Sequence, residues 1–105
     1  MVKQFDIYWI NLNPTVGSEV NKKRPCIIIS PDEMNQALNT VIIAPLTSTI
    51  KNYPTRVKIK VKDRTGEVML DQIRSIDISR LGNKHGTISN KDKENIKETL
   101  IRMFK

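Results

Sequence analysis

The chain has 105 residues, which is room for one small domain over residues 1–105. With 38% hydrophobic and 28% charged residues it has the composition of a folded globular protein rather than a disordered one. No apolar run approaches the roughly 18 residues that span a bilayer. No signal peptide is recognisable, and one cysteine excludes an internal disulfide, so a cytoplasmic protein is expected. The net charge of +7 favours a polyanionic partner such as nucleic acid.

The first half of the chain predicts three strands and one short helix. Residues 5–12 alternate loosely and are rich in aromatic and β-branched side chains, which is typical of a strand. The short apolar runs 26–29 and 41–46 predict two further strands, buried on both faces. Between these runs, Ser30 as an N-cap predicts a helix over residues 31–39.

The second half predicts more strands and a final helix. In residues 55–62 apolar and basic side chains alternate, so a strand there has one apolar and one cationic face. A turn at 63–66 precedes a long strand or bent pair over 67–76, and one helical turn follows at 78–81. Ser89 with Asp92 three residues later resembles a capping box, and from there the apolar spacing becomes helical. The side chains predicted to face the core are Ile96, Leu100, Ile101 and Phe104. These elements favour a mainly β, α+β domain: an antiparallel, barrel-like sheet with a short internal helix and a C-terminal helix.

Several enzyme classes lack their residues in this sequence. There is no Gly-rich phosphate loop, no HExxH motif and no Cys/His set with metal-ligand spacing. The one histidine, His85, falls in a predicted turn and is interpreted as an exposed loop residue. Cys26 opens an apolar run, which is typical of a small core residue rather than a nucleophile. A histidine-based triad and a metallohydrolase are therefore disfavoured, and no cofactor is expected.

Polar residues collect where predicted loops meet strands. Glu19 lies in the first loop, and Arg24 lies at its end, where Pro25 restricts the arginine backbone to extended conformations. Thr47 and Ser48 end a buried strand, a common place for binding and catalytic groups. An arginine and hydroxyls placed there can hold a phosphate. The alternative is a surface arginine and turn hydroxyls that serve only the backbone.

The alternating strand carries four cations on one face: Arg56, Lys58, Lys60 and Lys62. Such a row is suited to track a phosphate backbone. It is equally typical of an exposed strand whose charges prevent edge-to-edge pairing with another chain. The sequence leaves both interpretations open.

A series of motifs runs along most of the chain in a fixed order. The segments are DIYWINLNPTVGSE at 6–19, KRPCIIISP at 23–31, APLTS at 44–48, KNYP at 51–54 and DQIRSID at 71–77. Each piece is unspecific alone, but the ordered series resembles the MazF/PemK (Kid) family, the toxin half of bacterial toxin–antitoxin pairs.

This resemblance implies a compact SH3-like antiparallel β-barrel with a C-terminal helix, working as a homodimer. It implies a sequence-specific, metal-independent endoribonuclease that cuts single-stranded mRNA through attack of the 2′-OH, leaving a 2′,3′-cyclic phosphate and a 5′-OH. The family's catalytic Arg and Thr fall on Arg24 and Thr47, and its acidic loop residue falls on Glu19. The RNA-binding candidates are Lys22, Lys23, Ser48, Arg56, Lys58, Asp71 and Gln72. The second implied partner is an acidic antitoxin protein.

Two positions depart from one branch of that family. The Kid-type branch has a His in the first loop and an Arg two residues before the later Asp. This chain has Ser18 and Met69 there, and only Asp71 remains. The sequence is therefore more similar to the MazF branch, and a Kid-style acid–base assignment is not transferred.

Two alternatives come from other functional classes. The related CcdB toxins share the fold but bind DNA gyrase without nuclease activity. A plain nucleic-acid-binding module would use the basic strand without turning over a substrate. The combination of Arg24–Pro25 with Thr47 favours the nuclease, and RNA cut at defined sites in the presence of EDTA separates the three.

Overall fold

The computed structural model describes all residues of the chain, 1–105. Seven strands and two α-helices make up the fold, with single 3-10 turns at Leu70–Gln72 and Ile78–Arg80. The strands and helices, in chain order, are β1 (Ile7–Asn11), β2 (Lys23–Ile28), α1 (Asp32–Ala37), β3 (Thr40–Thr47), β4 (Arg56–Val61), β5 (Arg64–Met69), β6 (Arg74–Asp77), β7 (Leu81–Gly86) and α2 (Asn90–Phe104).

All strand pairs are antiparallel and join into one sheet in the order β4-β5-β3-β2-β1-β7. Strand β3 is the organising element, because its first half pairs with β6 and its last two residues pair with β5. The edge strands β4 and β7 are not hydrogen-bonded to each other, so the expected barrel is open. The sheet is nevertheless curled: the molecule measures 32 × 31 × 31 Å along its principal axes.

The sheet packs on both faces. Ile27 and Ala44 belong to a larger apolar cluster that includes Ile96 of α2. Their neighbours in sequence, Cys26 and Ile43, belong to a smaller cluster on the other face. Because successive side chains of a strand point to opposite faces, this alternation confirms the prediction that β2 and β3 are buried on both sides.

Helix α2 is capped as predicted, since the Ser89 side chain accepts the backbone N–H of Asp92 at 3.1 Å. Its inward face differs from the predicted one. Ile96 and Thr99 are buried, whereas Ile101 and Phe104 are 63% and 71% exposed. The residues that pack inward are Ile96, Thr99, Leu100 and Met103, spaced i, i+3, i+4 and i+7. No helix of the structure is long and apolar enough to cross a membrane.

Two local predictions were wrong. Ser30 does not cap α1: its hydroxyl donates to Asn35 Oδ1 at 2.5 Å and accepts the backbone N–H of Ile42 at 3.0 Å, so it ties the helix to β3. The predicted turn around His85 is strand β7, which pairs with β1. Gly82 permits that pairing, since a Cβ there would lie 2.8 Å from the Trp9 carbonyl oxygen.

Candidate functional site

The largest cavity is a groove of about 500 Å³ at the end of β3, where the first loop, β2, β4, β5 and β7 meet. It combines apolar walls with five cations, a combination that suits an anionic ligand with apolar parts. The side chains that define its chemistry are Trp9, Lys22, Lys23, Arg24, Thr47, Ser48, Lys62, Arg64, Glu67 and His85. The structure therefore brings together five of the predicted residues: Lys22, Lys23, Arg24, Thr47 and Ser48.

Arg24 enters the groove from the start of β2. Its Nε donates to the Asn21 carbonyl oxygen at 3.0 Å, which fixes the plane of the guanidinium. Neither terminal nitrogen of Arg24 makes a hydrogen bond within the chain, so the outer edge of the fork is open to a ligand. A fork of this geometry matches two oxygens of a phosphate.

Thr47 enters the groove from the end of β3. Its Oγ1 accepts the backbone N–H of Thr49 at 3.1 Å, an ST-type turn that orients the hydroxyl. Because that bond uses Oγ1 as an acceptor, the hydroxyl proton is free to be donated to a ligand oxygen.

Two neighbouring residues of β5 shape the groove, and the sequence interpretation assigned a role to neither. Glu67 stands opposite Thr47 in the β3–β5 pairing and is 1% exposed. Gly66 lies under the same strand end: a Cβ there would be 2.6 Å from the Thr47 carbonyl oxygen. A side chain at position 66 would push the end of β3 aside, so glycine keeps Thr47 in place.

Trp9 and His85 form an aromatic pair on the groove wall. Their ring centroids are 5.4 Å apart, and the rings are inclined by 73°. Burial first, and then the charge of Lys62, lower the pKa of His85 below its ordinary value, so the imidazole is neutral at pH 7. Strand β7, which carries His85, was not predicted from the sequence because Gly82 and Asn83 near His85 favour a turn.

A second cleft of about 380 Å³ lies on the other side of the end of β3. The structure places Glu19, Asp71 and Gln72 here, together with Arg74, and not in the groove with Arg24 and Thr47. Pro45 lines the cleft, and the next three residues line the groove, so the two cavities are neighbours.

Several polar groups of the second cleft are bonded within the chain. Glu19 accepts the Val16 backbone N–H at 2.6 Å, and Gln72 accepts that of Val20 at 3.3 Å. Arg74 donates to the Leu12 carbonyl oxygen at 3.0 Å. These bonds hold the first loop against the body of the protein.

The guanidinium of Arg56 is also hydrogen-bonded within the chain. Its Nε and one terminal nitrogen donate to the two carboxylate oxygens of Asp71 at 3.2 and 3.3 Å, and its guanidinium lies 4.8 Å from the Tyr53 ring centroid. Burial alone would raise the pKa of Asp71, but bonds from Arg56 and Thr55 bring it below its ordinary value. Neither Arg56 nor Lys58 lines a cavity, and β4 is an edge strand, where charges also protect against pairing.

Cys26 behaves as the predicted core residue. It is fully buried, and its Sγ–H donates a hydrogen bond to the Arg24 carbonyl oxygen at 3.6 Å. Burial raises the pKa of the thiol to about 12 against the opposing charges of Arg24 and Arg74. The thiol is therefore protonated at neutral pH and is no nucleophile. The structure contains no group of three or more His, Cys, Asp or Glu side chains placed to hold a metal ion.

The groove, with its unbonded guanidinium edge and free hydroxyl donor, has the chemistry that can bind and polarise a phosphate group. Comparison with known proteins narrows the class. Residues 3–104 match the family described as PemK-like, MazF-like toxin of type II toxin–antitoxin system, and the chain belongs to this family.

Two curated relatives extend over most of the chain. Endoribonuclease EndoA of Bacillus subtilis is 35% identical over 106 aligned positions, which cover 95% of this chain and 91% of the relative. The endoribonuclease toxin MazF of Escherichia coli K12 is 32% identical over 93 positions, covering 88% and 84% respectively.

Solved structures share the fold. The crystal structure of MazF from Deinococcus radiodurans superposes with a TM-score of 0.85 at 25% identity, covering 98% of this chain and 96% of the other. A mycobacterial endoribonuclease in complex with its cognate antitoxin superposes with a TM-score of 0.81 at 24% identity, covering 95% and 91%. The expected mainly antiparallel β fold with a C-terminal helix is thus confirmed, but the sheet is open where a barrel was expected.

Proposed function

We propose that this toxin is a sequence-specific endoribonuclease that cuts single-stranded mRNA in the groove of Arg24 and Thr47. The observation that carries the proposal is the pairing of an unoccupied guanidinium edge with a free hydroxyl donor in one cationic groove. The curated relatives named endoribonucleases support it over a gyrase-binding toxin or a passive binding module.

The proposed reaction uses the nucleophile that RNA itself carries. The 2′-OH loses its proton and its oxygen bonds to the adjacent phosphorus, while the bond from phosphorus to the 5′ oxygen breaks and that oxygen gains a proton. The products are a 2′,3′-cyclic phosphate and a 5′-OH. Arg24 stabilises the extra negative charge of the pentavalent transition state, and Thr47 donates a hydrogen bond to a phosphate oxygen. Arg24 itself is permanently protonated and is no base.

Glu19 is our candidate for the group that accepts the 2′ proton. The first loop joins the two cavities, since Lys22 lines the groove and Glu19 lines the second cleft. The role requires the loop to move Glu19 toward the groove when RNA binds. It is tested by Glu19→Gln, for which we expect a loss of about 10²-fold in the single-turnover rate with RNA affinity unchanged. An unchanged rate would remove Glu19 from the mechanism.

The two cavities together suggest a path for the RNA strand. Lys22, Lys23 and Ser48 would contact the strand at the groove, and Asp71 and Gln72 would contact it at the second cleft. Arg56 and Lys58 would meet it only where it leaves the cavities along β4.

The remaining partners follow from the same proposal. The groove's cations also suit an acidic antitoxin, and a mycobacterial relative of this fold is known in complex with its cognate antitoxin.

We infer a homodimer in which a second copy covers exposed apolar side chains such as Phe104. We infer that the protein acts in the cytoplasm, where mRNA is available. Sedimentation equilibrium tests the dimer, since a monomer at micromolar concentration would contradict it.

The decisive experiment maps cleavage sites on a long single-stranded RNA by primer extension, with EDTA present. We expect discrete cuts by the wild type and at least about a 10²-fold slower reaction with Arg24→Ala, because a transition-state donor is lost. Arg102→Ala is the matched control, since Arg102 lies outside both cavities. An all-deoxy oligonucleotide should stay intact. Wild-type-like cutting by Arg24→Ala, or cleavage of the deoxy oligonucleotide, would contradict the proposal.

A further inference from the structure

One carboxylate of the groove has no part in the reaction proposed above. Glu67 is 1% exposed and takes part in none of the chain's ion pairs. Its two oxygens instead accept backbone N–H groups: Oε1 from Lys51 at 3.1 Å and Oε2 from Asn52 at 3.0 Å. A buried carboxylate is costly unless it is hydrogen-bonded, so these two bonds account for its presence.

The two bonds reach the loop of residues 48–55, which leaves β3 directly after Thr47. In the antiparallel pairing Glu67 stands opposite Thr47, so the two side chains lie on the same face of the sheet. The loop passes over Glu67, and Asn52 there has a left-handed backbone with φ of 58°. This single carboxylate therefore joins the strand beside Thr47 to the middle of the loop that follows Thr47.

Two roles can be weighed for this group. As the only carboxylate that lines the groove, Glu67 is a conceivable base for the 2′-OH. Its geometry is against that role, because both oxygens already accept a bond and the side chain is covered. A group that holds backbone N–H groups on both oxygens fixes conformation and does not meet substrate.

We propose that Glu67 is a positioning residue: it fixes the loop of residues 48–55 and thereby holds Thr47 and Ser48 in their place in the groove for RNA. The inference rests on the proposed function for its consequence in RNA cleavage. The anchoring of the loop stands on the hydrogen bonds alone.

The test variant is Glu67→Gln, which keeps the size of the side chain but turns one acceptor into an NH₂ group facing a backbone N–H. We expect amide hydrogen exchange at Lys51 and Asn52 to accelerate about tenfold, with exchange along β4 unchanged. For cleavage we expect kcat/KM to fall about tenfold, because a displaced Thr47 loses contact with the phosphate, while the shape of the pH–rate profile is kept. Glu33→Gln is the matched control, an exposed acid of α1.

The results for Glu67→Gln distinguish a positioning residue from a catalytic base. Unchanged exchange at Lys51 and Asn52, or an unchanged kcat/KM, overturns the proposal. A fall in kcat of about 10²-fold at constant KM, with the loss of one limb of the pH profile, also overturns it, because that is the signature of a base. If Glu67→Gln does not fold, Glu67→Asp replaces it under the same criteria. If the wild type cuts no RNA, the proposed function fails while the exchange experiment still decides the anchoring.

Discussion

The groove and the second cleft lie side by side at the end of β3, yet the predicted site residues in the two cavities differ in their hydrogen bonding. In the groove, Arg24 keeps both terminal nitrogens free and Thr47 keeps its proton free. In the cleft, Glu19 and Gln72 accept backbone N–H groups, and the guanidinium of Arg56 holds Asp71 from the adjoining strand. Hydrogen-bond donors without a partner in the chain can bind a ligand, whereas groups already bonded within the chain hold its conformation. We infer that the groove holds the groups that meet the phosphate, and that the bonds in the cleft hold the first loop, which carries Glu19, in the absence of RNA.

The largest expected effect is on the Arg24 fork. Arg24→Lys keeps the charge but loses the planar pair of donors, so we expect the single-turnover cleavage rate to fall about 10²-fold. Arg102→Lys on α2 is the control and should react like the wild type. A wild-type rate for Arg24→Lys would show that only charge matters in the groove and would weaken the contrast between the two cavities.

The second-largest effect is expected at Gly66, the glycine that lies against the end of β3 at Thr47. Gly66→Ala places a Cβ 2.6 Å from the Thr47 carbonyl oxygen, so the end of β3 must shift. We expect a free energy of unfolding lower by about 1–3 kcal/mol and cleavage slower by roughly tenfold or more. Gly17→Ala in the first loop is the comparison, because its Cβ meets no atom within 4 Å and only its φ of 57° is unfavourable. Urea unfolding and single-turnover assays distinguish the two variants, and equal effects in both assays would contradict the packing argument.

A smaller effect, on stability, is expected at Asp71, which Arg56 holds in the absence of RNA. Asp71→Asn should lower the free energy of unfolding by no more than about 1 kcal/mol, since the pair with Arg56 is partly exposed. The pKa of Asp71 is lowered in the folded state, so its contribution is present above about pH 4, the ordinary pKa range of Asp, and is lost as the pH falls through the folded-state pKa. Urea unfolding between pH 2 and 7 measures this. A difference from the wild type that grows toward acid pH would reverse the sign and contradict the assignment.

The smallest effect concerns two lysines of the basic strand and its turn. Lys62 lines the groove and Lys58 lines neither cavity. For binding of a 2′-O-methylated RNA, Lys62→Ala should reduce the slope of log affinity against log salt by about 0.7, the value for one phosphate contact on a single strand. Lys58→Ala should leave the slope unchanged for an RNA short enough to stay within the two cavities. The reverse result would place the RNA on the outer face of β4, away from the groove.

The sequence predicted those parts of the fold that depend on local periodicity. The alternation around Val57 and Ile59 identified β4, and the helical spacing after Ser89 identified α2 with its cap. Strand β7 escaped because its own residues, Gly82 and Asn83 among them, favour a turn. It is a strand through its pairing with β1, and this tertiary contact overrides local preference.

The candidate site residues that the sequence predicted also lie in recognisable local patterns. Arg24 and Thr47 were singled out because their motifs resemble a known family and because each flanks a predictable strand. Glu67 was not found, since nothing local marks a carboxylate that becomes buried beneath a loop 15 and 16 residues away in sequence. Glu19 was named a catalytic candidate because the family resemblance places an acidic residue in this loop, but the bonds of Val16 and Val20 direct that part of the loop to the other cavity.

Trp9 is the only tryptophan in the chain, and it stands on the wall of the groove. Indole emission responds to the polarity of its surroundings, so the protein carries an intrinsic optical reporter at the place where a ligand would enter. Filling of the groove by RNA or by an acidic peptide can therefore be followed in real time without a label. The same signal allows the two ligands to be competed against each other in one cuvette.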